Sequence, residues 1–228
     1  MPHLLHLDSS ADPERSRSRA ITATFTAAWR GHGAGYSVSY RDLHRDPLPH
    51  LADAALHWPP RLRPDGAAPP AAAEALQREL IDELTSADVL LVGAPLYNYS
   101  LPSSLKAWID HIHVPGVTAP FDVPTQPLAG RPAVIVSAQG ASYDAHTPTE
   151  GWDHAVPVLD LILGTSLGMT LTVITTSLTL AETVPALADQ RDRARAELAR
   201  AHEEAAATAR RLAVPGSVPG AGAGAGPE

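Results

Sequence analysis

The sequence predicts an α/β protein in three α/β/α layers, with a five-stranded parallel sheet of order 2-1-3-4-5 between its helices. Three observations carry this. Strand-like and helix-like segments alternate five times along the chain, the pattern of strands joined by crossover helices. The run Val89-Leu90-Leu91-Val92 is continuously apolar, as suits a strand covered on both faces. That run then passes through a short polar loop into a helix start at Pro102, and in open parallel sheets the loops leaving the carboxyl ends of strands are where ligands sit.

The elements follow in order. His3 to Leu7 reads as the first strand, and the polar residues from Asp8 to Glu14 as its loop. Ile21 to Trp29 reads as a helix. Tyr36 to Tyr40 alternates polar and apolar residues, as in a partly exposed strand. Asp42 to Pro70 is a long Pro-rich connection, a length that implies function or short helices of its own. Ala71 to Ser86 is helical, with Leu76, Leu80, Ile81 and Leu84 on one stripe. The third strand starts at Val89, and a helix spans the region from Pro102 to His113. Val114 to Arg131 is a second Pro-rich loop, and Ala133 to Ser137 the fourth strand. Trp152, Val156, Leu159 and Leu163 sit at helical spacing, which predicts a helix over Trp152 to Leu167 with Pro157 disturbing its first turns. Thr170 to Thr176 reads as a buried, β-branched fifth strand, and Leu187 to Leu212 as a long Ala/Arg/Glu helix. Residues 1–213 are expected to form one ligand-binding domain. Residues 214–228, almost all Pro, Gly and Ala, are expected to be a disordered tail, because they carry too little apolar surface to offset the entropy of ordering.

Composition narrows the chemistry. The formal net charge of -8 argues against a nucleic-acid partner, whose footprint is a basic patch. Cysteine is absent, which excludes disulfides, thiolate chemistry and Cys-ligated metal clusters. No run of roughly 20 apolar residues exists to span a bilayer. The short apolar run after Met1 is broken by His6 and Asp8, so no secretory leader is expected, and the chain reads as cytoplasmic. No metal site is expected: His111 and His113, two apart on a helix, point to different faces.

In the 2-1-3-4-5 order, the loops after strands one, three and four meet on one rim. The first carries Ser10, then Ser16, Arg17 and Ser18 at the next helix start. Hydroxyls and amides at a helix N-terminus suit a phosphate, although serines at this position are just as often plain helix caps. The second carries Leu96, Tyr97, Asn98 and Tyr99, which suit a flat heteroaromatic ring. The third carries Ala138, Gln139, Gly140 and Ala141, where Gly140 permits close backbone approach. Together they suit flavin mononucleotide, FMN. Tyr143 and Phe121 are candidates for substrate contact; each also reads as an aromatic that simply packs in a loop. Asp153 reads as the acid at a helix start. No catalytic side chain is assigned.

The run from Pro95 to Asp110, PLYNYSLPSSLKAWID, resembles the signature of FMN-dependent NADH-azoreductases, which are also NAD(P)H:quinone oxidoreductases of flavodoxin-like fold. The resemblance extends from about Leu4 to Leu212 and takes in Asp8-Ser9-Ser10, Arg41-Asp42-Leu43 and Gly116-Val117-Thr118. It implies a homodimer that binds FMN, takes hydride from NADH or NADPH, and reduces quinones or azo compounds in a ping-pong cycle. It assigns phosphate contacts to Ser10, Ser16, Arg17 and Ser18. Ring contacts go to Leu96, Tyr97, Asn98 and Tyr99, and to the loop from Ala138 to Ala141. The chain departs from the family's usual Ser/Ala-Arg-Gly-Gly third loop, with Gln139 for the Arg and Ala141 for the second Gly. Residues Ala119 to Gln126 also depart. These changes motivate an alternative, a tailoring flavoenzyme (even a redox-neutral one) acting on a natural-product intermediate. A flavodoxin-type electron carrier ranks below it.

Overall fold

A computed structural model describes residues 1–213; the expected tail at 214–228 lies outside the described residues. Five parallel strands form one sheet in the order β2-β1-β3-β4-β5. They are β1 (His3–Asp8), β2 (Ser37–Asp42), β3 (Val89–Pro95), β4 (Pro132–Ala138) and β5 (Thr170–Thr176). The register pairs Asp8 with both Asp42 and Gly93, and Pro95 with Ala138, so the carboxyl ends of the strands finish level along one edge.

Successive strand residues face opposite sides, and each side has its own core. Leu5, Leu7, Leu90, Val92 and Ile135 pack beneath α2 (Ala71–Ser86) and α3 (Ser103–Ile112), around the fully buried Trp108. Leu4, Leu91, Val134 and Val136 pack against α1 (Arg17–Arg30) and α5 (Arg191–Leu212). There Ile21, Phe25 and Trp29 of α1 meet Ala201, Ala205 and Ala209 of α5, whose small side chains at four-residue spacing let the two helices approach closely. The expected bounds of α2 and β5 match the structure. Of the α2 stripe, Leu80 and Leu84 are buried while Leu76 and Ile81 pack partly buried beside them. The long connection after β2 does hold short helices, two 3-10 turns at Ala54–His57 and Pro60–Leu62.

Three expectations need correction. The helix predicted from Trp152 begins only at Ala155. It runs as α4 (Ala155–Leu159) and then widens into a π-helical stretch, Asp160–Ser166. Pro157 removes an amide donor from its first turn, and Trp152 stands outside on the surface. β5 is not fully buried: as an edge strand it leaves Thr170 and Thr175 exposed. α5 starts at Arg191, because Pro185–Gln190 forms a separate 3-10 turn ahead of it.

Candidate active site

The first loop is pinned at both ends. Ser9 Oγ donates to the Gly93 carbonyl at 2.6 Å, fixing the loop to β3. Ser10 Oγ lies 3.1 Å from the Tyr97 hydroxyl, and the Ala11 amide donates to the same phenol oxygen at 3.0 Å. Ser16 caps α1 by accepting the Arg19 amide at 3.3 Å and sits 3.0 Å from Ser18 Oγ. Ser10 and Ser18 are buried. Hydroxyls therefore surround the positive end of the α1 dipole. Arg17 has different surroundings: with Ser177, Thr179, Glu182 and Arg195 it lines a cavity of about 20 Å³ beside the segment after β5.

The second loop is a two-residue turn. Tyr97 and Ser100 exchange backbone hydrogen bonds of 2.9 and 3.0 Å, and Asn98 and Tyr99 between them take φ of 49° and 67°. Asn tolerates this left-handed backbone; Tyr does so at a cost. The Tyr99 carbonyl is held by the His154 amide at 2.9 Å. Beside the turn opens a cleft of about 450 Å³, whose walls include Tyr97, Asn98, Ser100 and Leu101, with His50 and Lys106 at its polar side. Its volume is in the range of small-molecule sites.

The third loop joins the second through the Leu96 amide, which donates to the Ala138 carbonyl at 2.9 Å. Gln139 is buried and turned inward. Its Nε2 donates to Asp153 at 2.8 Å, and its Oε1 accepts from the Ser177 hydroxyl at 3.3 Å. Its amide and carbonyl pair with Thr176 and Thr179. Asp153 in turn accepts the amides of Ala155 and Val156, capping α4 as expected. Neither Gly140 nor Ala141 has positive φ, so alanine strains nothing at position 141. A Cβ on Gly140 would lie 3.0 Å from Leu180, so this glycine makes room for a neighbour in its own chain.

Above the second and third loops stands an aromatic group. The Tyr99 ring is edge-on to Trp152 at 5.3 Å and to Tyr143 at 6.5 Å. Burial, together with the nearby Tyr99 and Asp153, raises the pKa of the Tyr143 hydroxyl, so it stays a neutral donor. Phe121 is elsewhere: it packs on Trp58 at 5.2 Å, where Arg61 clasps Asp122 through two hydrogen bonds and ties the two Pro-rich loops together.

The structure thus brings Ser10, Tyr97, Leu96, Ala138 and Tyr143 to one rim, leaves Phe121 on another loop, and turns the Gln139 side chain inside. Reading the sequence missed Trp152 and the inward-turned Arg19. Helical spacing had placed Trp152 within a helix, and Arg19 meets its partner Asp42 only through the pairing of β1 with β2. His111 donates through Nε2 to the Pro49 carbonyl at 2.9 Å and His113 pairs with Ser166 at 2.7 Å; among the described residues no group of acids and histidines could hold a metal.

A family described by its flavodoxin-like fold matches residues 2–205. An FMN-dependent NADH:quinone oxidoreductase of Kineococcus radiotolerans is 59% identical over 213 residues, spanning 93% of this chain and 99% of that protein. One from Streptomyces coelicolor is 40% identical over 216 residues, spanning 93% and 96%. Among solved structures, an azoreductase from Bacillus anthracis superposes with a TM-score of 0.77 at 20% identity, covering 92% of this chain and 99% of that one. At that identity the superposition speaks for the fold.

Proposed function

The chain belongs to the flavodoxin-like family that includes FMN-dependent NADH:quinone oxidoreductases, and from that premise we propose that it is such an enzyme, with FMN held on the three-loop rim and NADH as hydride donor. The observation that carries this is the junction at Leu96 and Tyr97, through which the first, second and third loops are bonded into one surface next to an open cleft.

The donor set fits the cofactor. Ser10, Ser16 and Ser18, with the N-terminus of α1, would hold the phosphate; Arg17 would add charge from the side. The turn Leu96 to Tyr99 would hold the ring on one side, with Asn98 supplying an amide to its polar edge. The backbone from Ala138 to Ala141 would border it on the other. The Gln139 backbone is committed to internal bonds, so its share of that border is steric. When bound, FMN supplies the redox chemistry, accepting hydride from a nicotinamide and delivering it to a quinone or azo acceptor. The protein's task is orientation and the exclusion of water. Tyr143, a neutral hydroxyl beside Tyr99, is placed to donate a hydrogen bond to an acceptor oxygen, and the rings of Tyr99 and Trp152 offer that acceptor a stacking wall. Phe121 would reach an acceptor only from the clasped loop.

Residues 1–213 would form the flavin-binding domain. A homodimer is favoured by the apolar side chains left exposed, among them Leu161, Leu180 and Trp152, and light scattering would give its mass. Among the described residues no helix is long and apolar enough to cross a membrane; a cytoplasmic location fits a cosubstrate that cells keep inside. The test is anaerobic: NADH should bleach the flavin absorbance of the purified protein, and a quinone should restore it. A flavin that neither NADH nor NADPH bleaches would contradict the proposed activity.

A further inference from the structure

Arg19 sits in the first turn of α1 with its side chain turned largely inward, 11% exposed, among acids that come from two other elements. Its guanidinium meets Asp42 through two parallel hydrogen bonds of 2.7 Å. The Nη2 group also donates to the Ser10 carbonyl at 2.8 Å. Nη1 donates to the Tyr40 hydroxyl at 3.2 Å and lies 3.8 Å from Asp8. Asp8 and Asp42 are register partners at the ends of β1 and β2. Asp8 is itself packed tightly: it accepts the Thr22 hydroxyl at 2.9 Å, and a Cβ on Gly93 would lie 2.5 Å from its Oδ1. One planar group therefore ties together a strand end, its neighbour's end, the first helical turn and the peptide that carries Ser10.

We infer that Arg19 is a positioning residue for the phosphate end of the cofactor: it holds the Ser10 peptide against α1 and so sets the loop whose hydroxyl and amides would face a phosphate. This rests on the FMN reading above. Two physical points support it. The geometry is that of a guanidinium fork, five fixed donors in a plane, which a lysine ammonium cannot reproduce. The charge balance also matters. Asp8 and Asp42 would otherwise place two buried carboxylates beneath a site for a dianion, and Arg19 cancels one of them. Arg19 acts through Ser10, since its two terminal nitrogens are taken up by Asp42, Tyr40 and the Ser10 carbonyl.

Riboflavin provides the test, because it has the same ring as FMN and no phosphate. The full chain is stripped of flavin and titrated with each, as wild type and as Arg19→Lys, which keeps the charge and loses the fork. Wild type is expected to favour FMN. Arg19→Lys is expected to lose about tenfold in FMN affinity, the scale of one charge-assisted hydrogen bond, with riboflavin affinity changed less than about twofold. Should Arg19→Lys not fold, Asp42→Asn keeps the cation and loosens its anchor, and the same selective loss is expected in smaller measure. An unchanged preference for FMN in a folded variant, or an equal loss for both flavins, overturns the role of Arg19. A wild-type chain that binds both flavins equally, or neither, instead overturns the phosphate site itself.

Discussion

The hydroxyl of Tyr97 lies 3.1 Å from Ser10 Oγ and accepts the Ala11 amide at 3.0 Å, so one phenol oxygen joins the loop after β1 to the loop after β3. This bond crosses the switch point of the sheet, where the strand order reverses. Tyr97→Phe keeps the ring and removes the junction. FMN affinity is expected to fall about two- to tenfold, the worth of one or two neutral hydrogen bonds. Unchanged FMN binding in this variant would show that the loops hold their places without it.

Asn98 joins two roles that substitution can separate. Its backbone is left-handed, at φ 49°. Asn98→Gly keeps that backbone without strain and removes the amide; Asn98→Ala removes the amide and adds roughly 1–2 kcal/mol of strain. Both variants are expected to lose flavin on gel filtration, and only the alanine one to lower the melting temperature clearly. Tyr143→Phe is expected to slow turnover while flavin content stays the same. Equal flavin loss in Asn98→Gly and Tyr143→Phe would refute this division of roles.

Gln139 bridges Asp153 and Ser177 inside the protein. Gln139→Leu leaves the capping carboxylate of Asp153 short of a donor in a partly buried place. A stability loss of about 1–3 kcal/mol is expected in urea unfolding. Gln139→Arg restores the residue usual at this position in the resembling family. A clear loss of stability in that variant as well would mean that the pocket around Asp153 is shaped for a neutral amide.

Asp42 gives the protein an acid-sensitive element. Burial by itself would raise its pKa, but the Arg19 fork and the amides of Arg45 and His44 more than offset this and bring it from 3.8 to about 2. A carboxylate depressed in the folded state contributes stability above its unfolded pKa and loses it as the pH falls through the folded value. The contribution, about 2 kcal/mol, should therefore be present above about pH 4 and fade toward about pH 2. Unfolding free energies measured across this window should fall less steeply for Asp42→Asn than for wild type. Parallel curves would contradict the assignment.

The parts of this protein that reveal themselves in sequence are those governed by local pattern. The buried run at β3 and the helix from Ala71 to Ser86 depend on periodicity and flanking prolines, and both appear as expected. The start of α4 does not follow from pattern, because Trp152 continues a helical spacing while Asp153 caps the chain after it. Arg19 shows the limit more sharply. In the stretch from Arg15 to Arg19 nothing local marks Arg19 as the arginine that turns inward, and only the alignment of β1 with β2 brings Asp42 to it. The exposure of β5 likewise follows from its place in the predicted strand order and not from its β-branched composition, which alone suggests a buried strand.

The central claim is that one rim, built by the turns after β1, β3 and β4, holds one FMN per chain. An absorbance titration of the stripped full-length protein with FMN tests it most directly. Saturation at one equivalent, with the flavin bands shifted from those of free FMN, is the result expected; a protein that stays colourless after equilibration with excess FMN and removal of the unbound flavin would contradict it.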